Sequence, residues 1–318
     1  MKSDFEKFRE VINQSISVID RSQRTEFTKI DIKNTIADFD DADSLLSRCE
    51  EITSKATRKA RPKIRILHHF ACSGGTIISK SIGALPNVFL LSEVHPTSTL
   101  HLGTGKPKYL PTDISSLVRY TNPPEFDSLA GNLFCSSIKV VNEHIEKYGG
   151  NVVLRDHTHA DFCMGKICRK KSAVLEVLED EFDILNLVTV RNPIDSFLSL
   201  SNNNWIHFTP GTFESYCKRY LIFISQFNQK QIIKYENFVA KPEKTIKKIA
   251  NRLDLPFSDS FINTFPVIAV TGDSGRGGEY IEKRPRREIS SLLAKEIKKS
   301  KSFKTLVKKL GYKTGVVE

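Results

Sequence analysis

The segment from residue 64 to residue 82 constrains the fold of this chain more than any other. It begins with a short apolar run that favours a β-strand, continues through small residues from Ala71 to Thr76, and ends in apolar residues at helical spacing. This order predicts a strand, a tight loop and a helix. The first N–H groups of a helix lack internal partners and carry the positive end of the helix dipole. The Ser-Gly-Gly-Thr loop therefore predicts an anion site, with Ser73 and Thr76 adding hydroxyl donors.

Further apolar runs alternate with helical patterns along the rest of the chain. They predict strands at residues 88–92, from 151 onward, at 183–190 and at 231–236, with mostly helical structure from 113 to about 148. This alternation predicts an α/β fold class with a mostly parallel central sheet. In such a sheet the carboxyl ends of the strands open on one crevice, where ligands bind.

Composition and charge narrow the class of protein. The chain has 318 residues and 39% hydrophobic residues, which is enough for an ordinary buried core. It contains no apolar run of the roughly 20 residues that cross a bilayer and no apolar segment near its start, so we expect a cytoplasmic protein with no membrane span. Six scattered cysteines without a metal-site spacing are expected to be reduced thiols.

The net charge of +11 is concentrated near the end of the chain, where residues 283–318 hold twelve Lys and Arg against three Glu. Apolar residues at helical spacing within this stretch favour closing helices with a solvated face over a nucleic-acid site. Residues 1–61 are predicted to form a helical N-terminal extension and basic linker, and residues 62–318 to form the main domain.

Ionisable side chains follow two of the predicted strands. Glu93 comes after the second strand, and Arg155, His157 and His159 stand at and beyond the end of the third. Such density at strand ends is typical of a functional site. After the fourth strand, Arg191 precedes a helix in which Ser199 falls about two turns on, so that a guanidinium and a hydroxyl can hold one phosphate.

Taken in order, these features resemble the P-loop sulfotransferases. The features are the loop Cys72-Ser-Gly-Gly-Thr76, the Arg191 to Ser199 pair, the Tyr235-Glu236 to Pro242 stretch, and a glycine- and arginine-rich segment containing Ser274-Gly-Arg276 and Arg284-Pro-Arg-Arg287. The resemblance covers about residues 62 to 312 and implies a P-loop-type three-layer sandwich. It also implies transfer of a sulfuryl group from 3′-phosphoadenosine 5′-phosphosulfate (PAPS), with 3′-phosphoadenosine 5′-phosphate (PAP) as product, to a hydroxyl or amine of a small-molecule or carbohydrate acceptor.

The resemblance assigns roles to individual residues. The 5′-phosphosulfate is expected at the first loop, and the 3′-phosphate at the Arg-Ser pair with help from the late loop. These nucleotide-binding residues are Cys72, Ser73, Gly74, Gly75, Thr76 and Ile77, then Arg191 and Ser199, then Gly275 and Arg276.

The first loop departs from the family pattern, because Cys72 stands where a Lys or Arg is usual. Lys80, four residues beyond Thr76 on the same helix face, is the expected substitute cation, with Arg155, His68 and His69 as weaker ones. Glu93 is the preferred catalytic base, since burial would raise its pKa, and His159, His157 and His95 are alternatives. The scheme needs no metal.

Two other interpretations stay open. Gly74 to Ser81 is one residue away from the nucleotide-kinase pattern G-x-x-x-x-G-K-[ST], with Ser79 in place of the second Gly, which predicts ATP and magnesium binding through Lys80 and Ser81. The other is a sulfotransferase-like binding protein without catalysis. Neither the acceptor nor the oligomeric state can be predicted from the sequence.

Overall fold

The computed structural model describes residues 61–103, 105–273 and 280–313, all within a unit that runs from Arg61 to Glu318. The extension predicted for residues 1–61 lies outside the described residues except for Arg61. Within the described part of the chain, no helix is long and apolar enough to cross a membrane.

A five-stranded sheet with order β2-β3-β1-β5-β7 forms the centre, and every neighbouring pair is parallel. Its strands are β1 (Lys63–His69), β2 (Val88–Val94), β3 (Asn151–Asp156), β5 (Asp183–Val190) and β7 (Ile232–Lys234). Two short parallel strands, β4 (Met164–Gly165) and β6 (His207–Phe208), pair separately. The predicted mostly parallel sheet is confirmed.

Helices connect the strands and cover both faces of the sheet. They are α1 (Gly75–Gly83), α2 (Ile114–Tyr120), α3 (Phe126–Lys147), α4 (Thr158–Phe162), α5 (Ala173–Leu178), α6 (Pro193–Asn202), α7 (Phe213–Ile224), α8 (Tyr235–Ala240), α9 (Pro242–Arg252), α10 (Phe261–Thr264), α11 (Ser291–Lys299) and α12 (Lys301–Leu310). Short 3-10 turns lie at Gln229–Gln231 and Phe265–Val267.

The three layers follow from side-chain alternation along the strands. In β3, Val152 and Leu154 pack into one apolar core, while Val153 between them packs into a second core. Successive side chains of a strand point to opposite faces, so one strand supplies both cores. The larger core lies against α7 and α12, and the smaller one against α1 and α9.

The fold places the carboxyl ends of the strands at one edge of the sheet. There β1 leads through a loop into α1, and β5 leads through Arg191 and Asn192 into α6. Pro193 occupies the first turn of α6, as predicted, and the Asn192 side chain accepts a bond from the Ile194 N–H.

The predicted strand at residues 231–236 is too long at its end. Lys234 makes the last pair with Val190 of β5, and Tyr235 already begins α8. Because β5 also ends at Val190, the described residues offer no strand for the chain to pair with beyond Lys234. The turn into α8 brings the Tyr235 ring over the loop that follows β1.

Candidate functional site

We call residues Cys72 to Ile77 the cradle loop; they follow β1 and include the first residues of α1. Gly74 adopts a left-handed backbone conformation with φ of 85°, and no side chain of the described residues caps the helix. The Ile78 N–H makes the first intrahelical bond, to the Gly74 carbonyl at 3.3 Å. The N–H groups of the preceding helical residues are therefore at the helix N-terminus, where an anion binds most favourably.

Close packing explains why two glycines stand in the cradle loop. A Cβ atom on Gly74 would lie 2.2 Å from Cδ2 of Tyr235, and one on Gly75 would lie 2.5 Å from the His69 ring. Both distances are far below van der Waals contact. The loop thus sits between two aromatic rings and accepts no side chain at either position.

The two hydroxyls of the cradle loop differ from each other. The Thr76 hydroxyl accepts a hydrogen bond from the Arg155 guanidinium at 3.0 Å and lies in the cleft. The Ser73 hydroxyl is buried and donates to the Thr189 carbonyl at 3.1 Å. The predicted hydroxyl donation from Ser73 to an anion is therefore wrong, because β5 uses this hydroxyl to fix the loop.

The Arg191 to Ser199 pair shares a cleft with the cradle loop. The cleft has a volume of about 560 Å³, and both residues line it together with Cys72 and Gly74 to Ile77. The Arg191 guanidinium lies 3.5 Å from the Cys72 carbonyl oxygen and stacks over the Tyr235 ring, 4.9 Å from its centroid. One cation therefore links the end of β5 to the cradle loop.

Residues 284 to 287 bring further positive charge to the same cleft. Arg286 donates two hydrogen bonds to the Asp195 carboxylate on α6, at 2.7 Å from Nε and 3.2 Å from an Nη atom. This pairing holds the late basic segment against the first turns of α6. Gly275 and Arg276, which were predicted to bind the nucleotide, lie outside the described residues.

Glu93 lies at the centre of a buried polar cluster. Its backbone has φ of 59°, and the register of β2 against β3 shifts between Leu91 and Val94, which turns this residue out of the regular pleat. Its carboxylate lies 2.6 Å from the Arg155 guanidinium and accepts a hydrogen bond from Nδ1 of His157. Both partners line the cleft.

The environment of Glu93 lowers its pKa instead of raising it. Burial alone would raise the pKa of Glu93, but hydrogen bonds from His157 and His69 and the charges of His69 and Arg155 outweigh burial and hold this pKa far below its ordinary value. The expectation of a raised pKa at Glu93 is therefore wrong. A carboxylate so firmly ionised is a weak base.

His159 begins a chain of histidines beyond this cluster. Burial, with the charges of His157 and His207 as lesser causes, lowers the pKa of His159 to about 3. Nε2 of His159 lies 3.0 Å from Nδ1 of His207, and one of the two rings donates the proton. His207 carried no signal in the sequence, because only the pairing of β6 with β4 brings it to the cleft.

Lys80 lines the cleft, and its ammonium nitrogen lies 3.3 Å from the Asp273 carboxylate. It stands in the second turn of α1, beyond the residues at the helix N-terminus. Arg155, by contrast, contacts the cradle loop directly through Thr76. Of Lys80 and Arg155, the latter is the one that donates a hydrogen bond to the loop.

The geometry of α1 does not match the kinase pattern. That pattern needs the Ser at its end to face a magnesium ion at the helix start. Ser81 instead donates its hydroxyl to the Ile77 carbonyl at 2.9 Å, and Ser79 is fully buried. Across the described residues, no group of three or more His, Cys, Asp and Glu side chains could hold a metal ion.

Comparison with solved structures defines the class of fold. No family model and no curated protein matches the chain in sequence. The described unit nevertheless has a P-loop sulfotransferase-like fold. It is similar to the sulfotransferase domain from the curacin biosynthetic pathway, with a TM-score of 0.50 and 16% identity over 80% of this chain and 99% of that one.

Two other sulfotransferases illustrate the range of the likeness. The sulfotransferase domain of the Synechococcus PCC 7002 olefin synthase gives a TM-score of 0.45 at 16% identity, over 81% of this chain and 97% of that one. A mouse sulfotransferase solved in complex with PAP gives a TM-score of 0.34 at 17% identity, over 65% of this chain and 63% of that one.

Proposed function

We propose that this protein is a PAPS-dependent sulfotransferase acting on a hydroxyl or amine acceptor. The observation that carries the proposal is the single cleft in which the N-terminus of α1 and the Arg191 to Ser199 pair lie together. PAPS has two anionic ends, the 5′-phosphosulfate and the 3′-phosphate, and this cleft offers two separate anion-binding features. The fold shared with the curacin pathway domain agrees with this function.

The cradle loop would hold the 5′-phosphosulfate through the N–H groups of Gly75, Thr76 and Ile77. The 3′-phosphate would lie between Arg191 and the Ser199 hydroxyl, on the first turns of α6. Lys80, Gly275 and Arg276 would add contacts to the nucleotide. PAP would remain in the same positions as the product.

Arg155 would supply the positive charge that Cys72 does not. Charge develops on the bridging phosphate oxygen as the sulfur–oxygen bond breaks, and preorganised donors at that point are usually the largest catalytic contribution. Arg155 is 3% exposed, contacts the Thr76 hydroxyl and lines the cleft. Its guanidinium is fixed by Glu93 before the nucleotide arrives, so little reorganisation accompanies binding.

His157 would be the base, with Glu93 as its positioning residue. The hydrogen bond from Nδ1 to the Glu93 carboxylate fixes the ring and leaves Nε2 for the acceptor proton. The acceptor oxygen would form a bond to sulfur while the bond from sulfur to the bridging oxygen breaks, in line, and the imidazole would take the proton. The low pKa of Glu93 and that of His159 make both weaker candidates.

The test is nucleotide binding followed by turnover. Titration calorimetry in EDTA should detect PAP binding, and Arg191→Met should weaken it by roughly tenfold or more, since a charge-assisted bond contributes about 1.5–3 kcal/mol. Arg61→Met is the control, because Arg61 is exposed, donates to the Glu179 carbonyl and does not line the cleft. Magnesium-dependent ATP binding without PAP binding would contradict the proposal. PAP binding without release of PAP from PAPS across an acceptor panel would indicate a binding protein.

A further inference from the structure

Residues 271–273 lie against the edge strand β2, beside the buried polar cluster around Glu93, and we call them the anchoring segment. The Thr271 hydroxyl donates a hydrogen bond to the Ser92 carbonyl. In return, the Ser92 hydroxyl donates one to the Thr271 carbonyl at 3.0 Å. This reciprocal pair ties the anchoring segment to β2 one residue before Glu93.

The anchoring segment holds one of the two amino groups of the Arg155 guanidinium. Nη1 donates to the Thr271 carbonyl at 3.2 Å and to the Ser92 hydroxyl at 3.1 Å. Nη2 instead donates to the Thr76 hydroxyl at 3.0 Å and lies 2.6 Å from the Glu93 carboxylate. Because a guanidinium is planar and rigid, the bonds to Nη1 also fix the direction in which Nη2 faces the cradle loop.

Gly272 brings the backbone of the anchoring segment against the Glu93 carboxylate. Its φ is 71°, and a Cβ atom there would lie 2.6 Å from Cγ and 2.9 Å from Oε1 of Glu93. Oε1 is the oxygen that contacts Nη2 of Arg155. Glu93 itself has a left-handed backbone, which persists in a residue other than glycine only where the surroundings hold it. The glycine therefore leaves room for the ion pair between Glu93 and Arg155.

The third residue of the anchoring segment reaches the other side of the cleft. The Asp273 carboxylate lies 3.3 Å from the Lys80 ammonium on α1, and both residues line the cleft. Ser92 and Thr271, by contrast, do not line the cleft. An effect of these two residues on a bound nucleotide must therefore pass through Arg155, which does line it.

We propose that the anchoring segment and Ser92 position Nη2 of Arg155 for the 5′-phosphate end of the nucleotide. This inference rests on the proposed sulfotransferase function and adds positioning residues to it. When the sulfuryl group leaves PAPS, the bridging oxygen becomes a terminal oxygen of the 5′-phosphate of PAP. The contact with Arg155 therefore persists in the product, and PAP binding reports on it.

The experiment compares two nucleotides by titration calorimetry, PAP and adenosine 3′-phosphate, which lacks the 5′-phosphate. Ser92→Ala should weaken PAP binding by about tenfold, the value of one displaced charge-assisted hydrogen bond. The affinity for adenosine 3′-phosphate should stay within twofold of wild type, because this ligand does not reach Arg155. Ser225→Ala is the control, since Ser225 is exposed, donates to the Ile222 carbonyl at 2.7 Å and does not line the cleft.

A second variant tests the same segment without removing a hydrogen bond. Gly272→Ala places a methyl group against the Glu93 carboxylate and should also weaken PAP about tenfold, a larger loss than for adenosine 3′-phosphate. Gly149→Ala is the matched control, because Gly149 has φ of 74° and nothing lies within 4 Å of its Cβ position. It carries the same backbone strain and should bind both nucleotides as the wild type does.

The pair of nucleotides separates positioning from stability. Equal losses for PAP and adenosine 3′-phosphate in Ser92→Ala, or unchanged PAP affinity in this variant, would overturn the inference and leave the proposed function standing. If Ser92→Ala does not fold, Gly272→Ala decides by the same criterion. Absence of PAP binding by the wild type would instead refute the proposed function itself.

Discussion

Gly74→Ala is the substitution that most directly tests how the cradle loop is built. Gly74 combines a backbone φ of 85° with a Cβ position only 2.2 Å from Cδ2 of Tyr235. Alanine at this position should therefore lower the free energy of unfolding in two ways, through the strained backbone conformation and through the contact with Tyr235. Another glycine of this protein separates the two costs. Gly149 has φ of 74°, and nothing lies within 4 Å of the Cβ position there.

The expected magnitudes follow from these distances. The left-handed conformation costs an alanine about 1–2 kcal/mol, which is all that Gly149→Ala should lose in free energy of unfolding. Gly74→Ala should lose a further 1–3 kcal/mol or so, because the new methyl group must displace the Tyr235 ring or the loop. At about 2–4 °C of Tm per kcal/mol for a domain of this size, thermal denaturation resolves the difference.

The loop also positions the N–H groups that are proposed to hold the nucleotide. Displacing it should weaken PAP binding at least about tenfold, since one lost charge-assisted bond is worth about 1.5–3 kcal/mol. Gly149→Ala should bind PAP as the wild type does. Equal Tm values for the two alanine variants would show that Tyr235 does not confine the loop, and unchanged PAP affinity in Gly74→Ala would refute the cradle.

Three other variants probe the rest of the site. Ser199→Ala should weaken PAP binding severalfold in calorimetry and leave the Tm unchanged, because it removes one hydroxyl that is proposed to donate to the phosphate. A fall in Tm without loss of affinity would show that Ser199 serves packing instead. Asp195→Asn should release Arg286, lower the affinity for PAP and increase its dependence on salt, whereas an unchanged affinity would exclude a role for this pair in seating the late segment. A depressed pKa at Glu93 adds stability above its unfolded pKa of about 4.3, and this addition is lost as the pH falls from there toward the folded pKa. The difference in free energy of unfolding between the wild type and Glu93→Gln should therefore be constant from about pH 8 to 5 and shrink below about pH 4.3. A difference that grows on acidification would show that the pKa of Glu93 is raised.

The sequence alone determined the order of elements and pointed to the two features that are proposed to bind the anionic ends of the nucleotide. Apolar runs and their spacing predicted the strands of the central sheet, and Pro193 marked the start of α6. These predictions succeeded because strand and helix periodicities and helix-start signals are local. Placing the cradle loop and Arg191 in one cleft needed only the rule that parallel strands open at a common edge.

Only the tertiary structure decided how the ionisable groups behave. The pKa of Glu93 depends on Arg155, His69 and His157, which come from other segments of the chain and outweigh the effect of burial. The contact of Arg155 with Thr76 and the position of His207 likewise arise from pairings between distant segments. Charge interactions and hydrogen bonds act over a few ångströms in space, whatever the separation of the residues along the chain. The sequence therefore predicted which ionisable groups the site contains but not their protonation states.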